Sequence, residues 1–165
     1  MRVDHASREI RAPAERIYEA LTNRDALRIW LPPAGAKAVV HEFEAWPGGA
    51  FRLTLEFDTI GKYGMRKTSA NTDEVDGEFL ELLPHELVRQ RFIFRSEDPS
   101  FGGAMIMTWT LTPTIDGTHV AIVAENVPLG ISRRDHEVGM ASSLANLANY
   151  VEWGSPLRSN PAEAR

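Results

Sequence analysis

The chain contains no cysteine. Disulfide staples and thiolate chemistry are therefore excluded, and stability has to come from packing. No apolar run approaches the ~20 residues that a membrane-spanning helix requires. The first residues, Met1-Arg2-Val3-Asp4-His5, lack the apolar centre of a secretory signal. A cytoplasmic location is the resulting expectation. The net charge is −5, the wrong sign for a nucleic-acid or anionic-membrane partner. Catalytic signatures are equally scarce. His136-Glu137-Val138-Gly139-Met140 begins like the HExxH helix of zinc proteases, but Met140 occupies the place of the second ligand. The five histidines, at 5, 41, 85, 119 and 136, are scattered and form no local metal set. Neither a phosphate loop nor a GxSxG elbow occurs. No metal and no cofactor is expected.

What is present points to one globular domain over residues 1–153, followed by a polar tail over 154–165. A chain of 165 residues buries roughly 70% of its unfolded surface, enough for a core without staples. Val3 to Ala12 reads as a strand. Pro13 opens a helix carrying Ile17, Tyr18 and Leu21, and Asn23 caps a second, short helix with Leu27 and Trp30. Six strand-like runs follow. Val39, His41 and Phe43 share a face of the first, and Pro47-Gly48-Gly49 ends it in a turn. Phe51, Leu53, Leu55 and Phe57 alternate with Arg52, Thr54 and Glu56, Val88, Gln90, Phe92 and Phe94 with Arg89, Arg91 and Arg95, and Met105, Met107, Trp109 and Leu111 with Thr108, Thr110 and Thr112. Glu78 to Leu83 is a run between them, and Asp116-Gly117 marks a hairpin before Val120, Ile122 and Ala124. Thr59 to Asp73 reads as a long, irregular connection.

Residues 130–153 read as one long amphipathic helix. At 100° per residue, Val138, Ala141, Leu144, Ala145, Ala148 and Val151 share a face. Such an alanine-rich face packs closely on a sheet or leaves room for a small guest. Glu137 falls within it, either aimed at the mouth of a cavity or paired with Arg133 or Arg134. His136 lies off it. The order of elements implies a curved antiparallel sheet with a wet outer face and a terminal helix over the inner one.

The segments Ala12-Pro13-Ala14-Glu15-Arg16-Ile17-Tyr18-Glu19-Ala20-Leu21-Thr22, Trp46-Pro47-Gly48-Gly49-Ala50-Phe51-Arg52, Gly77-Glu78-Phe79-Leu80-Glu81-Leu82-Leu83-Pro84 and Ser143-Leu144-Ala145-Asn146-Leu147 resemble the SRPBCC (START/Bet v 1-like) superfamily. Within it they are similar to the group named for the activator of Hsp90 ATPase. The resemblance implies an α+β helix-grip fold, with a cavity between sheet and last helix that takes a small hydrophobic or aromatic molecule. The expected lining is Trp30, Phe51, Leu53, Phe79, Gln90, Phe92, Met107, Trp109, Glu137, Ala141, Leu144 and Ala145. A cyclase, aromatase or hydrolase would use the same cavity, with Glu137, Glu81 or His41 as general acid or base. A cochaperone module is a further alternative, and the chain is expected to be a monomer or homodimer.

Overall fold

The computed structural model describes residues 1–33, 35–58 and 71–154, with side chains through Glu152. Seven strands form one antiparallel sheet: β1 (Val3–Ile10), β2 (Ala36–Phe43), β3 (Ala50–Phe57), β4 (Thr72–Leu83), β5 (Leu87–Phe94), β6 (Met105–Pro113) and β7 (Thr118–Glu125). Their spatial order is β1-β7-β6-β5-β4-β3-β2. The first two strands in sequence are thus the two edges. The chain between them must cross the whole sheet, and it does so as α1 (Ala14–Thr22) and α2 (Arg24–Trp30). After β7 the chain returns along β1 as α3 (Arg133–Ala148), extended by a wider π-type turn over Asn149–Gly154.

Local chemistry sets these helices. Pro13 is extended (φ −71, ψ 152) and precedes α1, whose Ala14, Ile17, Ala20 and Leu21 are buried. The Asn23 Oδ1 accepts from the Ala26 amide at 2.9 Å and starts α2. Ser132 caps α3 in the same way, accepting from the Asp135 amide at 3.1 Å. The buried Trp30 closes α2, and its indole N–H donates to the Ala20 carbonyl at 2.9 Å. That bond ties α2 back onto α1 and satisfies the one polar atom of a buried indole.

Partners across an antiparallel pair share a face, so register fixes which residues look inward. Phe51, Leu53, Phe79, Val88, Met105, Met107, Trp109, Val120, Ile122 and Ala124 form the inner face and are buried. Two bulges break the alternation. In β2 the register shifts between Val40 and Glu42. Ala38 and Val40 therefore face inward, as does Phe43, while His41 is exposed. The expected shared face of Val39, His41 and Phe43 is not formed, because one extra residue inverts every side chain beyond it. In β4 the shift falls between Phe79 and Glu81. Leu80 is the extra residue, and Glu81 is turned to the outer face.

The last helix differs from expectation in extent and in phase. Its sheet-facing residues are Met140, Leu144, Leu147 and Ala148, continued by Val151. Val138 is 62% exposed, Ala141 is exposed and Ala145 only half-buried. The buried stripe is rotated by less than one residue step of about 100° from the alanine-rich one. Met140 and Leu147 bury far more apolar surface than two alanines, and that larger gain sets the rotation. Residues 59–70, most of the expected irregular connection, lie outside the described residues, as does 155–165 of the expected tail. Thr72 and Asp73, expected in that connection, already belong to β4.

Candidate functional site

The inner face is an aromatic wall. Trp30 and Trp109 meet edge to face with centroids 6.0 Å apart. Phe79 meets Phe43 at 5.4 Å and Phe51 at 5.1 Å, and Phe51 meets Phe92 at 5.3 Å. Each such pair contributes about 0.5–1.5 kcal/mol beyond its burial. Gly77 makes the arrangement possible. It stands opposite both Phe51 and Phe92 in the ladder, and a Cβ there would lie 2.0 Å from the Phe51 ring. The bare backbone lets the two phenyl rings close over β4.

The wall is not uniformly covered. Phe51, Phe79, Met107 and Trp109 are buried, while Phe43, Phe92 and Phe94 are half-buried. Gln90 sits on the same face, opposite Phe79 on one side and Met107 on the other. Its side chain is half-buried and has no hydrogen-bond partner among the described residues. A polar group in that setting needs a water or a ligand atom.

Of the expected lining, Trp30, Phe51, Leu53, Phe79, Gln90, Phe92, Met107, Trp109 and Leu144 come together on this face. Ala145 flanks it, and Ala141 is outside it. The three acid–base candidates are dispersed. Glu81 pairs with Arg89 on the outer face, Oε1 to Nη1 at 3.3 Å. His41 Nε2 lies 2.8 Å from Thr54 Oγ1, a hydrogen bond on the outer side of the bulge. Glu137 accepts from the His5 amide at 3.3 Å. It therefore caps an N–H of edge strand β1 that would otherwise be open to another strand, and Glu152 accepts from the Arg11 amide, just past the end of β1, at 2.6 Å. Among the described residues, no cluster of three or more metal-ligating side chains occurs.

The family model for activator of Hsp90 ATPase homolog 1-like proteins matches residues 11–152. The chain belongs to this family. A crystal structure of a protein from Chromobacterium violaceum is similar over 93% of this chain and 100% of that one, with 32% identity and a TM-score of 0.79. A protein from Mesorhizobium loti is similar over 90% and 95%, with 22% identity and a TM-score of 0.68. DynU16, from the dynemicin biosynthetic locus, shares the fold at 18% identity and a TM-score of 0.65, over 93% of this chain and 48% of that one. No curated protein matches. The sheet, the two short helices and the terminal helix are those of the helix-grip fold, which commonly binds hydrophobic ligands. Among the described residues no helix is long and apolar enough to cross a membrane.

This Hsp90-ATPase-activator-like chain also holds a polar cluster that the sequence did not reveal. The Asp4 side chain is completely buried on the inner side of β1, opposite Ala124. Its Oδ2 accepts from Arg2 Nη2 at 2.7 Å and from His136 Nδ1 at 2.9 Å. Its Oδ1 accepts from Arg2 Nε and Arg133 Nε, both at 3.1 Å. The Arg2 hydrogen bonds, then those of His136 and Arg133, hold the carboxyl well below the usual carboxylate range against the opposing cost of burial. His136, expected to flank the helix, is instead one of the groups that fasten α3 to β1. Arg133, one of the two candidate partners of Glu137, makes its ion pair with Asp4. His136 and Arg133 lie more than 120 positions from Asp4 and leave no local signal, and an aspartate in a strand of modest pattern reads as solvated.

Proposed function

We propose that this single domain, over 1–153, binds a small hydrophobic or aromatic molecule in the cytoplasm, against the wall of Trp30, Phe51, Phe92, Met107 and Trp109. The observation carrying this reading is Gln90, a polar side chain without a partner among the described residues, set beside half-buried aromatic rings. One oriented polar group on an apolar surface is the ordinary composition of a small-molecule site. Gln90 hydrogen-bonds a carbonyl or hydroxyl of the guest, and the rings supply the affinity. Burying roughly 200–300 Å² of guest surface, at about 25 cal/mol per Å², gives about 5–8 kcal/mol before ordering costs. Affinity is accordingly micromolar at best.

Binding is favoured over catalysis because Glu81, His41 and Glu137 all engage protein groups away from the wall. Native mass spectrometry of protein purified from its own host identifies the guest. Affinity is then read by quenching of tryptophan fluorescence. Gln90→Leu is expected to weaken binding about tenfold, the value of one hydrogen bond, and Phe92→Ala by a similar factor. Glu81→Gln, on the outer face, is the control and leaves affinity unchanged. Equal affinity of wild type and both inner-face variants for a confirmed guest would refute this site.

A further inference from the structure

The outer side of α1 forms a concavity, away from the aromatic wall. Glu15, Tyr18, Glu19 and Thr22 follow one another at helical spacing. With Pro13, Arg16 and His85 they line a shallow, open depression of about 600 Å³. His85 enters it from the turn between β4 and β5, where the Glu86 amide donates to the Leu83 carbonyl at 2.9 Å. The φ of His85 is +68, a left-handed conformation that glycine, asparagine and histidine adopt more readily than other residues. The His85 ring lies edge-on to Tyr18, with centroids 5.6 Å apart and planes at 86°. Two rings from separate elements thus wall the depression.

Its charges are unevenly committed. Arg16, the one cation in the lining, donates from Nη1 to the Val151 carbonyl at 3.1 Å. Glu15 and Glu19 are exposed and make no hydrogen bond or ion pair among the described residues. Glu19 also lends negative potential toward Tyr150, whose phenol is pushed up by burial and by Glu19 and Asp25. The Tyr18 phenol is likewise pushed up by burial. Two free carboxylates beside two aromatic rings select a positive charge carried on an apolar body, since carboxylates and ring faces both attract cations.

We propose that this depression binds a small organic cation, an alkyl- or arylammonium, with its charge between Glu15 and Glu19 and its body against Tyr18 and His85. The test is an amide-shift titration of the full chain with benzylammonium, with benzyl alcohol as the uncharged analogue. Saturable shifts are expected in α1 and in the 83–86 turn, with the alcohol at least tenfold weaker. The double variant Glu15→Gln/Glu19→Gln is expected to weaken benzylammonium at least tenfold. His85→Gly, which suits the left-handed turn and so keeps the fold, is expected to weaken it severalfold. The proposal is overturned if no saturation occurs at these residues up to ~10 mM, if the alcohol binds equally well, or if the shifts map to Gln90 and Phe92 instead. Unchanged affinity in the double variant overturns it as well.

Discussion

Replacing Asp4 by asparagine tests the fastening of α3 directly. The substitution keeps the shape of the side chain and removes its charge. Arg2, His136 and Arg133 then face a neutral amide. Removing one partner of a buried ion pair costs about 3–5 kcal/mol. Arg133 is 60% exposed and turns to water readily, whereas Arg2 and His136 are only 20% and 14% exposed. The expected loss is therefore at the low end, about 3 kcal/mol near neutral pH. The pH dependence has a definite sign. The folded carboxyl titrates well below its unfolded value of about 3.9. Its contribution is complete above that value and is lost as pH falls below it, where the unfolded chain takes up the proton first. At pH 3 the wild type should have lost about 1 kcal/mol relative to Asp4→Asn, so the gap narrows by that amount. Urea unfolding of both proteins between pH 3 and 7 measures it. A neutral-pH gap under about 1 kcal/mol, or a gap that stays flat down to pH 3, would refute the reasoning.

Three further substitutions test the packing. Leu144→Ala should destabilise by about 2–5 kcal/mol, because Leu144 is 1% exposed in the α3 seam. Val138→Ala should change stability by less than about 0.5 kcal/mol, because that side chain faces solvent; chemical denaturation giving the reverse order would restore the alanine-rich phase. Gly77→Ala should cost about 1–3 kcal/mol and displace Phe51 from β4, seen as a lower melting temperature and altered ring resonances for Phe51 and Phe92.

The order of strands and helices was legible because each leaves a local periodic trace. Phe51 to Phe57 and Met105 to Leu111 alternate cleanly, Asn23 announces a helix start, and proline and glycine mark the turns. Most of the aromatic wall followed from the same alternation, since inward positions in an unbroken strand repeat every two residues. Glu81 and His41 were misplaced for one reason. A bulge is a property of two paired strands, and nothing in Phe79-Leu80-Glu81 shows that Leu80 is unpaired.

The helix phase was misjudged on similar grounds. Alanine suits a close contact in principle, but only the tertiary arrangement shows that Met140 and Leu147 fill the seam while Ala141 meets water. The Asp4 cluster lies at the far limit of what sequence can show, its partners supplied by both ends of the chain. The sequence by itself determined the elements, their order and the apolar character of the inner face, because short-range periodicity encodes all three. Only the tertiary structure decided which face Glu81, His41 and Glu137 occupy and where Asp4 finds its cations, because register, bulges and helix rotation follow from contacts between distant segments.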